Sequence, residues 1–464
     1  MDISVLQASG GAGYRGTVAI QTHGCKLNQA DSDLLARSFA EAGYRLVDSV
    51  AEADVFVLNT CTVTATADAK ARQALRAARR ANPKALIVAA GCYPQRAADE
   101  LAQLESISLV VGNALKDQLV PMVLALLGEQ DVSHQPSPVR DQPARGFPAA
   151  DVGATSARGG SPPTVRSAAG RSRAMVKIQE GCNQVCAYCI VPKVRGRERS
   201  IPPEILLQQI DQRVAEGFQE VVLTGTQLGS YGFDFPGTSL LGLLQRVLAE
   251  TEVTRLRVSS LQAHEISPGL LELWQDDRVC PHFHIPLQSG SDRVLKAMRR
   301  RYDTAQFARS VDLVRRSIPE AGVTTDLIVG FPGEGEEEFH ESRDFADSMG
   351  FSDMHIFPYS TRPGTSAAHF GAHVPEPVKR ERTAVMLALA HQHFQAFRTQ
   401  WLGRVRPVLW ESARERAGAM VNSGLTDNYV RVYADRLPDP GNRITPARLV
   451  ELVDDWVYAQ PIIG

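Results

Sequence analysis

Along residues 17–128 short apolar runs alternate with amphipathic stretches. TVAIQTH, VFVLNT and ALIVAAG read as strands, and each ends just before a cysteine: Cys25, Cys61 and Cys92. Stretches 29–43 and 64–81 carry the three-to-four-residue spacing of helices. Residues 129–172 lose all periodicity and are dominated by Pro, Gly, Ser and Ala, which predicts a flexible linker. From 174 to about 400 the alternation returns, with strand candidates AMVKIQ, EVVLTG, RLRVSS, HFHIPLQ, TTDLIVG and DMHIFPYS. Six strand–helix units of this kind predict a curved parallel sheet, a partial (β/α)6 barrel. Residues 378–402 read as one helix. The last ~60 residues alternate short apolar runs with turn residues, the pattern of a small all-β module. The expected architecture is therefore α/β: a Rossmann-like βαβ domain over 17–128, a linker over 129–172, a partial barrel over 173–400 and a small β-barrel over 401–464.

At 464 residues the chain has length for about two to four domains. Lys and Arg total 50 against 52 Asp and Glu, a net charge of -2, which excludes a globally basic nucleic-acid-binding surface but not local patches. No apolar run reaches the ~18 residues of a transmembrane helix. The first sixteen residues lack the basic and apolar regions of a signal peptide, so the cytoplasm is the expected compartment. No phosphate-binding G-x-x-x-x-G-K-[ST] loop is present.

The cysteines change the picture most. There are seven, an odd number that argues against a disulfide framework. Cys182, Cys186 and Cys189 form C-x3-C-x2-C in GCNQVCAYCIVP. Three thiolates on one short loop suit three irons of a [4Fe–4S] cluster, and with no fourth cysteine nearby one iron stays open for chemistry. Zinc is the competing occupant, but it prefers closed tetrahedral sites and no histidine lies in the loop. Cys25, Cys61 and Cys92 are 36 and 31 residues apart, each interval the length of a βαβ unit, so all three fall at carboxyl ends of parallel strands, where ligands bind in open α/β sheets. Three ligands without a fourth again suggest an open cluster. Cys280 is left over and reads as a core thiol.

C-x3-C-x2-C is the signature of radical S-adenosylmethionine (SAM) enzymes. The two three-cysteine sets together resemble the methylthiotransferase family within them. Six motifs carry the resemblance: THGCKLNQADSD (22–33), NTCTVTATAD (59–68), GCYPQ (91–95), GCNQVCAYCIVPKVRGRERS (181–200), HIPLQSGSDRVLKAMRRRY (284–302) and TTDLIVGFPGE (324–334). GLTDNYVRV (424–432) is similar to that family's RNA-binding TRAM module. The resemblance implies two [4Fe–4S] clusters with separate tasks, radical generation in the barrel and sulfur presentation in the N-terminal domain. SAM would serve as both methyl donor and radical source. Within the family, GCKLNQADSD and LTGTQLGSYG are similar to the group acting on N6-threonylcarbamoyladenosine at position 37 of tRNA. Enzymes for isopentenyladenosine carry a GCQMN form and those for a ribosomal-protein side chain a GCPKN form, and these are the alternative substrates. The implied partners are the tRNA anticodon loop, an electron donor and a sulfur source, with no membrane.

The same resemblance suggests SAM contacts: Tyr188 near the adenine, Thr224 and Gly225 near the amino group, and Ser259 and Gly330 at strand ends near ribose and adenine. His282 and His284, two apart on one strand, read as barrel lining or core. A tRNA partner asks for cations. Residues 70–84 hold six Lys/Arg and no acid, with Arg72, Arg76 and Arg80 on one predicted helix face. Residues 171–199 hold seven Lys/Arg against two Glu. Lys296, Arg299, Arg300 and Arg301 form a third patch. The C-terminal module is balanced, eight basic against eight acidic residues over 402–464, so RNA contact there would rest on Arg431, Arg443 and Tyr429 as a stacking surface.

Overall fold

The computed structural model describes residues 14–128, 172–416, 418–435, 437 and 441–462. The expected linker lies, but for Ser172, outside the described residues. Two compact units divide the chain as Met1–Gly24, Asp31–Cys61 and Ala67–Ala168 against Cys25–Ala30, Thr62–Thr66 and Ala169–Gly464.

The first unit is built on five parallel strands: β1 (Gly16–His23), β2 (Tyr44–Leu46), β3 (Val55–Thr60), β4 (Leu86–Gly91) and β5 (Leu109–Gly112), in the order β2-β1-β3-β4-β5. This is a doubly wound order with its switch point between β1 and β3. β3 and β4 are buried along their whole length, as central strands covered on both faces must be. Alternation sends Val55 and Val57 towards Phe39 and Leu35 on one face, and Phe56 and Leu58 towards Ala71 and Leu75 on the other. The helix Ala65–Ala81 packs through Asp68, Ala71, Leu75 and Ala78, a spacing that puts all four on one side.

The second unit holds six parallel strands: β6 (Arg173–Lys177), β9 (Glu220–Thr224), β10 (Leu256–Val258), β11 (His282–His284), β12 (Gly322–Val329) and β13 (Asp353–Pro358). Two-residue strands β7 (Gln179–Glu180) and β8 (Arg199–Ser200) form a small hairpin after β6. β6-β9-β10 and β11-β12-β13 are joined by the bridges Leu256 to Val279 and Ser260 to His284, so the six strands follow chain order as an arc. Beyond the long helix Glu376–Thr399, strands β14 (Val405–Arg416), β15 (Ala419–Thr426), β16 (Arg431–Asp435), β17 (Arg443–Val453) and β18 (Trp456–Pro461) close into a barrel around Val408, Trp410, Val432, Leu449 and Val457.

This small barrel is tied to the larger one by buried charge. Glu220 is fully buried and receives both Arg257, at 2.8 Å, and Arg255, at 2.7 Å. The two guanidiniums then donate onward to the carbonyls of Leu425 and Thr426 at the end of β15 and of Asp427 in the turn that follows it. The Tyr429 ring of that turn stacks on His282 at 4.0 Å and 12°. Tyr429 is thus not the exposed RNA-stacking surface its sequence suggested. Its turn carries it inward at φ 76°, a conformation unusual for a bulky residue.

Candidate functional site

In the first unit the strand ends line up in register, His23 beside Thr60 and Thr60 beside Gly91. Cys25, Cys61 and Cys92 follow these ends by two, one and one residues. Cys61 and Cys92 are buried and Cys25 is exposed. Asn113 donates to the Cys92 sulfur at 3.3 Å, and the Cys25 thiol donates to Asn28 at 3.2 Å.

In the second unit the loop after β7 carries Cys182, Cys186 and Cys189, all free thiols. Its backbone is fixed at Cys182 by the Gly196 carbonyl, at Ala187 by Met298 and at Cys189 by Cys186. The Gln184 amide donates to the Cys182 sulfur at 3.4 Å, and Arg300 Nη1 lies 3.5 Å from the Cys186 sulfur. Donors aimed at sulfur are what a set of metal-bound thiolates requires, so the residues present fit an iron–sulfur cluster. Burial pushes the Cys182 thiol up to about 11 and Cys189 up to about 12, which leaves both protonated until a cation displaces the proton.

Arg300 is the residue whose place the sequence did not disclose. It was read as part of a cationic surface, yet it is mostly buried, bonded to Tyr302 at 3.0 Å and Gln262 at 3.1 Å, and 3.5 Å from the Tyr188 hydroxyl. Gln262 continues to Gln184 and Gln227, and Gln227 to Glu265, so an amide–carboxylate network backs the cysteine loop. Burial raises Glu265 above the ordinary carboxylate range. The only sequence signal for this was the run of arginines after Met298, which did not say which one turns inward.

Tyr188 packs with Val294, Met298 and Phe331, and burial holds its phenol protonated. Thr224 ends β9 and accepts from Ile178. Gly225 lies so close to Gln179 that a Cβ would sit 3.0 Å from its carbonyl oxygen, and Gln179 Oε1 accepts from the next two amides, Thr226 and Gln227. Ser259 is buried at the end of β10, its amide on Leu223. Gly330 has φ 72°, and a Cβ there would meet the Lys379 side chain at 2.2 Å. Each of the two glycines therefore has a packing reason of its own. Cys280 is buried, its carbonyl taken by the Trp274 indole, as a core thiol would be.

The cationic patches are thinner than their sequence. Arg72 is spent on Tyr93 and Glu100, while Lys70, Arg76 and Arg80 are exposed. Lys177, Arg195 and, at 4.0 Å, Arg199 all pair with Glu180, while Lys193 and Arg197 are exposed. Arg431 pairs with Glu411. An open recess of about 430 Å³ is lined by Lys296, Arg300, Arg301 and Tyr302 together with Asp292 and Asp303.

Residues 17–112 match a family of uncharacterised proteins, UPF0004, and residues 176–346 match the radical SAM superfamily. The chain is 37% identical over 438 residues to the threonylcarbamoyladenosine tRNA methylthiotransferase MtaB of Bacillus subtilis, covering 94% of each chain. It is 37% identical to the MtaB of Aquifex aeolicus, over 92% of this chain and 98% of that one. It is 31% identical to the tRNA-2-methylthio-N(6)-dimethylallyladenosine synthase of Methylacidiphilum infernorum, over 97% and 95%. Among solved structures, the radical SAM methyltransferase TsrM of Kitasatospora setae, with cobalamin and a [4Fe–4S] cluster bound, superposes with TM-score 0.54 at 16% identity over 76% of each chain, a likeness of fold. Identity of this level along nearly the whole length, together with the radical SAM match, places the chain in the family of radical SAM tRNA methylthiotransferases.

Proposed function

We propose that this chain transfers a methylthio group to the adenine C2 of N6-threonylcarbamoyladenosine at position 37 of tRNA. The observation carrying this reading is two sets of three free thiols, Cys25, Cys61 and Cys92 each following β1, β3 or β4 in the chain within two residues, and Cys182, Cys186 and Cys189 on the single loop after β7. Cys182, Cys186 and Cys189 would hold one [4Fe–4S] cluster, and Cys25, Cys61 and Cys92 a second. Such a cluster, when bound, supplies the electron that cleaves SAM to a 5′-deoxyadenosyl radical able to take hydrogen from an unactivated C–H bond.

The remaining work belongs to side chains. Arg300 brings a cation to the Cys186 sulfur and holds the Gln262 network in one arrangement. Tyr188, with Met298 and Phe331 behind it, keeps water from that side of the loop. Thr224, Gly225, Ser259 and Gly330 are the proposed strand-end contacts for SAM. Residues 17–128, 173–400 and 401–464 are the proposed sulfur-presenting, radical-generating and RNA-binding domains, with Lys193, Arg197 and Arg301 offered to phosphates. Among the described residues no helix is long and apolar enough to cross a membrane, and the cytoplasm is the proposed workplace. An electron donor and a sulfur source are required partners.

The substrate is supported by relatives named for threonylcarbamoyladenosine at 35–37% identity. Relatives named for dimethylallyladenosine stand at 31–33% and define the second reading. Mass spectrometry of tRNA nucleosides from a strain lacking the gene tests both. Loss of 2-methylthio-N6-threonylcarbamoyladenosine, restored by the gene, is expected; its persistence, with loss of the isopentenyl derivative instead, refutes the first reading.

A further inference from the structure

The interior face of β11, β12 and β13 carries polar groups that the reading above does not use. Alternation along β12 turns Thr324 and Asp326 away from Val323, Leu327 and Val329, which sit in the main apolar core. Register places His284 beside Thr324 and His355 beside Asp326. Both Asp326 oxygens are taken by imidazoles: Oδ2 by His284 Nε2 at 3.2 Å, and Oδ1 by His355 Nδ1 at 3.0 Å. His284 Nδ1 is in turn 3.0 Å from Thr324 Oγ1, which also meets His282 Nε2 at 3.2 Å. His282 rests on Tyr429. A column of fixed polar groups thus rises from the floor of the arc towards its carboxyl ends. It reaches the level of the proposed SAM contacts, since His284 bridges to Ser260, the residue after Ser259.

The column ends in an unpartnered imidazole nitrogen. With Nδ1 turned to Asp326, the Nε2 of His355 has no hydrogen-bond partner among the described residues, and the side chain is 52% exposed. Phe357, two residues on and so on the same face of β13, is 43% exposed. A large exposed aromatic beside an imidazole nitrogen open to a ligand suits a flat base that carries a polar appendage. We propose that this face is the subsite for the N6 substituent of the substrate adenosine, with His355 Nε2 hydrogen-bonded to the threonylcarbamoyl group, accepting from its hydroxyl when neutral and donating to its carbonyl or carboxylate as the imidazolium, and Phe357 lying against the base.

The subsite rests on the substrate reading given above. An isopentenyl group entering here would strip water from His355 and offer it no acceptor, whereas a threonylcarbamoyl group brings a urea carbonyl, a hydroxyl and a carboxylate. A site built to hydrogen-bond a substituent discriminates strongly against the analogue that lacks the partner. The bond to Asp326 raises His355 above its ordinary value, which favours the doubly protonated ring, and Asp326, Asp353 and Tyr429 are the titrating groups that face it. His284, Asp326 and His355 are also spaced to hold a cation, the alternative that metal analysis decides.

The test uses the full chain with clusters reconstituted under anaerobic conditions. Two anticodon stem-loop RNAs are compared, one bearing N6-threonylcarbamoyladenosine and one isopentenyladenosine. The wild type should favour the first by at least about a hundredfold in kcat/KM. His355→Leu should lower that ratio by about ten- to a hundredfold, mainly through KM, the range for loss of one charge-assisted hydrogen bond. His355→Gln, which keeps a donor, should recover part of it. Iron content and visible absorbance of both variants should equal wild type, which reports intact folding. A wild-type ratio retained in His355→Leu overturns the subsite alone. One equivalent of zinc or manganese in wild type, absent from His355→Leu, also overturns it, because the face would then be a cation site. Wild-type protein inactive on the threonylcarbamoyl RNA but active on the isopentenyl RNA overturns the substrate reading and the subsite with it.

Discussion

Arg300 Nη1 stands 3.5 Å from the sulfur of Cys186, although the two residues are 114 apart in the chain. The approach is made just past the short helix Asp292–Ala297, where Arg299 at φ 60° swings the following side chain back towards the cysteine loop. The left-handed residue is a bulky arginine, not a glycine, and strain of this kind gathers where a position is over-determined by function.

Removing the guanidinium should therefore impair chemistry more than folding. Arg300→Gln should cut 5′-deoxyadenosine formation at least about tenfold, the scale of one charge-assisted hydrogen bond. Iron content should change little. Anaerobic SAM-cleavage assays alongside iron determination check this; a variant with full cleavage rates means Arg300 is only packing.

The two thiol sets should separate in metal content and activity. Replacing Cys182, Cys186 and Cys189 by Ala should remove about half the iron and all SAM cleavage. Replacing Cys25, Cys61 and Cys92 should also remove about half the iron, yet leave 5′-deoxyadenosine formation in place. Simultaneous loss of all iron in either variant, with native circular dichroism, contradicts two independent sites.

The Glu220 ion pairs should make the union of the two barrels acid-sensitive. Burial alone would raise this carboxyl, but Arg257 and Arg255 outweigh it and hold it down at about 2. A carboxylate lowered in the folded state contributes its stability fully above the unfolded value and loses it as pH falls through the folded one. The contribution should therefore be intact at pH 5 and fade between roughly pH 4.5 and 2. Glu220→Gln, which leaves two buried guanidiniums short of a charge, should cost about 3–5 kcal/mol at neutral pH. Its urea unfolding curve should also lose the wild type's steep dependence between pH 5 and 3.

Gly330→Ala should destabilise by about 2 kcal/mol, since the new methyl meets Lys379 and φ is 72°. Urea unfolding at neutral pH measures it. A neutral effect would mean that the turn and the helix Glu376–Thr399 relax together.

Much of the site was legible because its first requirement is local. C-x3-C-x2-C is written within eight residues, and Cys25, Cys61 and Cys92 are marked by strand runs that end beside them. The cationic patches were less legible. Lys177, Arg195 and Arg199 lie in a stretch with seven basic residues and two acids, but Glu180 pairs with all three in space. A count of charges cannot see which are neutralised.

The amino-acid order by itself determined the alternation of strands and helices, the two sets of three thiols and the change to an all-β ending. All of these follow from periodicity and short-range spacing, which every segment carries with it. Only the tertiary structure decided that Tyr429 turns inward onto His282, that Arg300 reaches Cys186, and that His284, Asp326 and His355 share one carboxylate. These partners meet through the register of neighbouring strands and the docking of one barrel on another. Register depends on the summed packing of whole strands, so no single stretch of sequence contains it.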